Sequence, residues 1–212
     1  MSTIIKAASS AGGWEINPSV ADGTMVIQSS AADGTAVVDA ISISAAGVAA
    51  TKGISDTVGI ASPKLLVQDQ KAVGTAGGTS SSATSHIRNL NTVVTNTITG
   101  ASLASNQITL PAGTFEISGS TPCMHGSEHK CYLYNTTTAA LAIAGTSEYT
   151  HNPNNIQTRS FFTGRLVLAS ATVFELRHYI GVGRATDGLG MTTNVAAAGV
   201  EVYSTIQVVK EA

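Results

Sequence analysis

The chain has 212 residues and a formal net charge of −2, and only 11% of its residues are Asp, Glu, Lys or Arg, against about 25% in an average soluble domain. This balance provides no basic surface for nucleic acid, and no apolar run reaches the roughly 18 residues of a membrane-spanning helix. We therefore expect neither nucleic acid nor membrane as a partner, and two cysteines do not predict a disulfide framework. A surface so poor in charge is typical of subunits that cover one another, although low-complexity disorder has a similar composition.

Residues 1–62 form a first region of small, polar side chains with a short internal repeat. Asp22-Gly23-Thr24 precedes Met25-Val26-Ile27, and Asp33-Gly34-Thr35 precedes Ala36-Val37-Val38. Asp-Gly favours a turn, so each copy predicts a turn followed by a short strand. Units this small cannot close a core, so we expect a β-rich attachment arm that needs a partner surface. The alternative is a partly disordered arm.

Residues 63–212 are predicted to form a second domain made of short strands. A linker is predicted at residues 54–63, because Gly59 and Pro63 break regular structure. The strands are predicted at residues 64–70, 87–98, 108–110, 114–117, 131–135, 141–144, 160–162, 165–168, 173–180 and 200–209. No segment has the period of an amphipathic helix. Short strands separated by turn signals indicate an all-β sandwich, jelly roll or barrel.

The sharpest cluster of chemically active side chains is Cys123, His125, His129 and Cys131, which are symmetric about Ser127. A hairpin turning at residues 126–128 would place all four on one face. Such a cluster could hold Zn²⁺ adventitiously or close a disulfide between the cysteines. The third alternative is two reduced thiols and two ordinary histidines.

No set of residues predicts catalysis. His178 lies beside Arg177 and two residues from Glu175, but strand alternation places it on the same face as Phe174 and Leu176. An interior or interface histidine is the favoured interpretation. A nucleophile elbow and a phosphate-binding loop are both missing. We expect no enzyme, no cofactor and no resident metal.

Six segments carry a resemblance to a known family. They are residues 87–94, 106–115, 129–135, 145–149, 174–179 and 200–203. In this order they resemble the C-terminal domain of tailed-bacteriophage fibre proteins, over about residues 63–212. The resemblance implies a jelly roll like the globular heads of tumour necrosis factor and complement, assembled as a homotrimer. Cys123 and Cys131 do not belong to the family's pattern.

The resemblance also implies a place on the outside of a virion. The expected function is a non-enzymatic trimer that decorates the capsid, attached to the major capsid protein or another virion component through residues 1–62. The alternative is a tail-fibre tip or adhesin that binds a host-surface glycan through loops such as residues 151–155 or 181–188. The first residues lack a secretory signal, so export is expected only as part of a particle. The predicted trimer contacts are Tyr132, Tyr134, Phe174, Leu176, His178 and Tyr203.

Overall fold

Segments that alternate apolar and polar residues form strands in both parts of the chain. The structure is a computed structural model that describes residues 5–7, 14–17, 25–30, 37–44, 47–49, 62–150 and 156–211. The chain divides into two units, Met1–Ala61 and Ser62–Ala212, and each is described by itself. Of the predicted linker, residues 54–61 lie outside the described part, as do residues 151–155 of one predicted glycan loop.

The described residues of the first unit form an antiparallel sheet of five strands in sequential order. The strands are β1 (Ile5–Ala7), β2 (Trp14–Asn17), β3 (Met25–Ser30), β4 (Val37–Ser44) and β5 (Gly47–Ala49). Strands β3 and β4 follow the two Asp-Gly-Thr sequences, as the repeat predicts. The turns themselves lie outside the described residues. Strands of three to eight residues in a single layer bury little apolar surface without a second layer.

The second unit is a sandwich of two antiparallel sheets. Its strands are β6 (Lys64–Lys71), β7 (Thr84–Ile87), β8 (Thr92–Asn96), β9 (Ser102–Ala104), β10 (Gln107–Leu110), β11 (Gly113–Met124), β12 (Ser127–Asn135), β13 (Ala140–Ala144), β14 (Glu148–Thr150), β15 (Gln157–Leu168), β16 (Thr172–Ile180) and β17 (Glu201–Lys210). One short 3-10 turn, Ala196–Ala198, interrupts them. Among the residues that the structure describes, no helix has the length and apolar character needed to cross a membrane.

The strand order of this unit is that of a jelly roll, which confirms the predicted fold class. One sheet has the order β15-β11-β17-β6-β8, and the other has β13-β12-β16-β10-β9, with β14 beside β12 and β7 beside β16. From β10 onward the chain changes sheet at nearly every connection, apart from the β12–β13 hairpin and the short β14. Such repeated crossing between two packed antiparallel sheets is the pattern of a jelly roll.

Alternation along the strands places the core between the sheets. In the five-stranded sheet, one row of opposed residues crosses four neighbouring strands and contains Phe162, Gly119, Ile206 and Val67. The three apolar side chains of this row are buried. Phe174 and Leu176 of β16 face them from the other sheet and belong to the same core. Burial of this apolar surface is the main force that holds the two sheets together.

Two strand predictions are corrected by the structure. The predicted strand at residues 87–98 is two strands, β7 and β8, which belong to different sheets. Arg88 lies between them and is fully buried; its side chain donates to Ser204 Oγ and to the Leu189 carbonyl. Conversely, the two strands predicted within residues 160–168 are one continuous strand, β15.

The loop before β17 is held by the carboxylate of Glu201. Its oxygens accept hydrogen bonds from Thr192 Oγ1 at 2.5 Å, from the Asn194 amide at 2.8 Å and from the Thr193 amide at 3.2 Å. The Thr192 hydroxyl, followed by these amides, lowers the pKa of Glu201 from 4.5 to about 2.

We expect the Glu201→Gln variant to show a stability deficit that depends on pH. A depressed pKa means that the carboxylate stabilises the fold fully above its ordinary value of 4.5 and loses that contribution as the pH falls towards 2. Urea midpoints of the wild type and the variant should therefore differ most at neutral pH and converge near pH 2. A difference of the same size at both pH values would contradict this role of the charge.

Candidate functional site

The outer face of the five-stranded sheet contains a central region without charge. Opposed residues in an antiparallel sheet share a face, so the register defines two rows across β15, β11, β17 and β6. We call these two rows the neutral face; its residues are Phe161, Ser120, Thr205, Gln68, Thr163, Ser118, Gln207 and Leu66. Phe161 is 52% exposed. An exposed aromatic ring in an uncharged setting is typical of a protein contact surface.

Charged residues border the neutral face at both ends of the strands. At one end Arg159 donates to Ser120 Oγ at 2.9 Å and to the Tyr203 carbonyl at 2.7 Å. At the other end Arg165 pairs with Glu211 at 2.6 Å, and Glu116 lies opposite Arg165. Between these borders lies a groove of about 530 Å³. It is lined by the part of the neutral face on β15, β11 and β17, by Gly119 and Phe162, and by residues 144–146. A neutral centre with a charged rim is how protein interfaces are commonly built.

The outer face of the seven-stranded sheet has a different character. Four of the five tyrosines lie on it. Three of them alternate with the buried residues of β12 and β16, and the fourth lies opposite an outward-facing residue of β12. We call Tyr132, Tyr134, Tyr149 and Tyr179 the tyrosine face. The Arg177 guanidinium lies 3.5 Å from the centre of the Tyr134 ring, a cation–π contact. Tyr149 is 62% exposed and Tyr179 is 38% exposed.

The structure corrects four of the six predicted trimer contacts. Phe174, Leu176, His178 and Tyr203 are all at most 2% exposed within the single chain, so they have no surface to offer to a second copy. The predicted alternation of residues on β16 is correct, but the apolar face of this strand packs against the opposite sheet of the same chain. Tyr132 and Tyr134 are partly exposed, and their contact with another subunit stays a prediction.

The predicted Cys/His hairpin is wrong. Strands β11 and β12 follow one another in sequence but belong to different sheets. Cys123 pairs in register with Thr158 of β15, and Cys131 pairs with His178 of β16. The link between the strands is a tight crossing in which His125 and Ser127 have φ angles of 58° and 57°. Both cysteines are free and buried, so the disulfide alternative is not supported.

Three side chains meet between the sheets near this crossing. They are Cys123 of β11, His129 of β12 and His178 of β16, and their donor atoms lie within 4.8 Å of one another. His129 Nδ1 is 3.0 Å from His178 Nε2, and His129 Nε2 is 2.7 Å from Thr158 Oγ1. We call these three residues the cross-sheet cluster, since they join both sheets.

Burial keeps the cross-sheet cluster uncharged. It lowers the pKa of His129 to about 4 and holds the pKa of His178 well below its ordinary value, so both rings are neutral at pH 7. Burial also raises the pKa of the Cys123 thiol to about 11, against the opposing effect of the nearby Arg88. A protonated, enclosed thiol is a poor nucleophile.

The other two members of the predicted cluster lie elsewhere. His125 Nδ1 accepts a hydrogen bond from Arg184 at 2.8 Å, which ties the crossing to the loop at residues 181–188. The Cys131 amide donates to Ser160 Oγ at 2.9 Å, and its side chain lies in the apolar core. Sequence spacing thus found Cys123 and His129 and missed His178. The cue available was the inward face of β16, which His178 shares with Phe174 and Leu176.

The candidate acid–base residues are committed to other partners in the structure. Glu175 binds Arg177 at 2.8 Å and accepts from Gln107 at 2.9 Å. His178 is fully buried. Neither residue is therefore a solvent-facing acid or base.

Comparison with known proteins gives structural likeness only. No protein-family model and no curated protein matches the sequence. Among solved structures, the crystal structure of murine APRIL at pH 8.0 has a TM-score of 0.44 and 6% identity, over 70% of this chain and 98% of that one. The globular domain of zebrafish complement 1qA protein has a TM-score of 0.45 and 10% identity, over 71% and 98%. The jelly-roll assignment rests on this chain's own strand order.

Proposed function

We propose that the chain is a non-enzymatic structural protein of a tailed-phage virion, a homotrimer that decorates the outside of the capsid. The neutral face is the observation that carries the self-association. Its eight residues include no charge, although they lie on the outside of the jelly roll. Covering such a surface removes little hydration from charged groups while burying Phe161 and Leu66.

Three copies are favoured over an open chain of copies. If copies bound head to tail without closing into a ring, they would form filaments. A threefold ring closes, so no contact surface is left free. The family resemblance of the sequence favours the trimer. In a trimer the neutral faces would meet around the axis. This arrangement would leave the tyrosine face outside the contact, so it takes the place of the contact predicted for Tyr132 and Tyr134.

The first unit is proposed to attach the trimer to the capsid. Its described residues form one sheet of short strands, and Trp14 is the only aromatic residue in the sequence of residues 1–62. A single layer of this kind is stabilised by a surface that covers one of its sides. The major capsid protein is the proposed partner.

The proposal is tested first by the mass of the purified full-length chain. Light scattering coupled to size-exclusion chromatography should give three times the 21.5 kDa of one chain. A mass of one chain at micromolar concentration would contradict the trimer. The second measurement is the ratio of this chain to the major capsid protein in purified particles. A copy number per particle close to that of the capsid proteins supports decoration, and a copy number close to that of the tail proteins contradicts it.

A second candidate is a tail-fibre tip or adhesin that binds a host-surface glycan. The tyrosine face favours it, because exposed tyrosines present both an apolar ring and a hydroxyl to a ligand. The loop at residues 181–188 is ordered by the Arg184 contacts with Asp187 and His125. A glycan array probed with the full-length protein tests this function. Binding that is lost in Tyr149→Ala supports it, and no signal on any host polysaccharide contradicts it.

A further inference from the structure

The cross-sheet cluster has the composition and the geometry of a metal site. Its donors are one sulfur and two imidazole nitrogens, the ligand types that Zn²⁺ binds in proteins. Cys123 and His178 are fully buried and His129 is 2% exposed. The three donor atoms come from three different strands and converge within 4.8 Å.

The spacing of the two imidazoles matches that of ligands on one ion. Two nitrogens, each about 2.0–2.1 Å from a tetrahedral zinc, are roughly 3.3 Å apart. His129 Nδ1 and His178 Nε2 are 3.0 Å apart, so a small rotation of the rings would accommodate the metal. Because β11 lies in one sheet and β12 and β16 lie in the other, the ion would link the two layers.

The surroundings of His129 also suit a zinc-bound imidazole. Such a ring commonly uses its second nitrogen for a hydrogen bond that fixes its orientation. His129 Nε2 already has Thr158 Oγ1 at 2.7 Å for this purpose. His178 Nδ1 is buried and has no hydrogen-bond partner within the described part of the chain, so packing alone holds the His178 ring.

We propose that Cys123, His129 and His178 bind one Zn²⁺ between the two sheets of the jelly roll. Binding replaces the hydrogen bond between the two rings with two zinc–nitrogen bonds, and the ring that donated the hydrogen bond moves that proton to its other nitrogen, so both rings stay neutral. The Cys123 thiol gives up its proton to solvent and forms the zinc–sulfur bond as a thiolate, so one proton is released per ion bound. Three protein ligands leave the fourth tetrahedral position to a water molecule.

This site shares Cys123 and His129 with the predicted Cys/His cluster and does not include the other two members of that cluster. His125 is engaged by Arg184, and Cys131 is no part of the converging set. Cys131 therefore serves as a matched control, since it is equally buried and free but lies outside the site. The proposal does not depend on the proposed function, because it concerns the interior of one jelly roll.

The experiment uses the full-length protein, reduced and stripped of metal. Titration with Zn²⁺ should show one ion per chain, and Co²⁺ should give the strong near-ultraviolet absorption of a cobalt–thiolate bond. Zinc at one hundred times its Kd should raise the thermal midpoint by about 5–10 °C, because the ion binds only the folded chain.

Two pairs of variants make the result decisive. Cys123→Ser should lose the cobalt–thiolate absorption and weaken zinc binding at least tenfold, whereas Cys131→Ser should keep both. His129→Asn should weaken binding, and His125→Asn should leave it unchanged; circular dichroism confirms that each variant is folded. No stoichiometric binding at micromolar Zn²⁺ would overturn the proposal. Equal binding by the wild type and the folded Cys123→Ser variant would overturn it as well, since it would assign the ion to another place.

Discussion

Replacing Phe174 with alanine is expected to lower the free energy of unfolding of the jelly roll by about 3–5 kcal/mol. The Phe174 side chain is 1% exposed and packs in the core between the two sheets. Its truncation removes apolar contacts and leaves a cavity that the surrounding strands cannot fill. Urea denaturation at one fixed protein concentration measures the effect, because unfolding of an oligomer depends on concentration.

Phe161→Ala is the matched control for this prediction. It removes the same atoms from a side chain that is 52% exposed, so the loss of stability within one chain should stay below about 0.5 kcal/mol, as is usual at a surface. In the proposed trimer it would weaken association instead. A Phe174→Ala chain that is as stable as the wild type but fails to assemble would show that Phe174 belongs to the trimer interface, as the sequence predicts.

Placing a carboxylate at the centre of the neutral face is expected to dissociate the trimer. Ser118→Glu would bring three like charges towards the threefold axis, and like charges at an interface cost several kcal/mol. Because about 1.4 kcal/mol is a factor of ten, we expect association to weaken at least a hundredfold. Light scattering at micromolar concentration should then give the mass of a single folded chain.

Two further variants separate the contact from a general effect of charge. Gln207→Glu keeps the shape of the side chain in the same row of the sheet and should also weaken the trimer. Ser102→Glu adds the same charge at an exposed position of β9 in the other sheet and should leave the mass unchanged. If Ser118→Glu and Gln207→Glu both remain trimeric, the neutral face is not the contact.

Local patterns predicted much of the second unit. Alternation within residues 173–180 predicts that Phe174, Leu176 and His178 share one face, and the structure buries all three. Asn135 at the end of β12 is a residue type that favours turns, and the Thr138 amide donates to Asn135 Oδ1 at 3.0 Å. These features depend on residues that are close to one another in sequence, and a sequence pattern reports only such residues.

The Cys/His cluster shows where such patterns end. Symmetry about Ser127 is equally compatible with a hairpin and with a crossing from one sheet to the other. At the crossing Gly126 packs against Cys123 Sγ, where a Cβ atom would clash, and His125 and Ser127 adopt left-handed backbone conformations. The partner that completes the cross-sheet cluster, His178, is 49 residues from His129 in sequence. Spacing therefore could not identify it.

The sequence by itself determined that this chain is built from strands, which residues of each strand share a face, and that its surface is poor in charge. Only the tertiary structure decided which sheet each strand joins and which of its faces looks inward. The reason is physical: alternation is set by the local geometry of one strand, whereas burial is set by what packs against it. Phe174 and Phe161 both lie on strands, and only the opposite sheet makes the first a core residue and leaves the second on the neutral face.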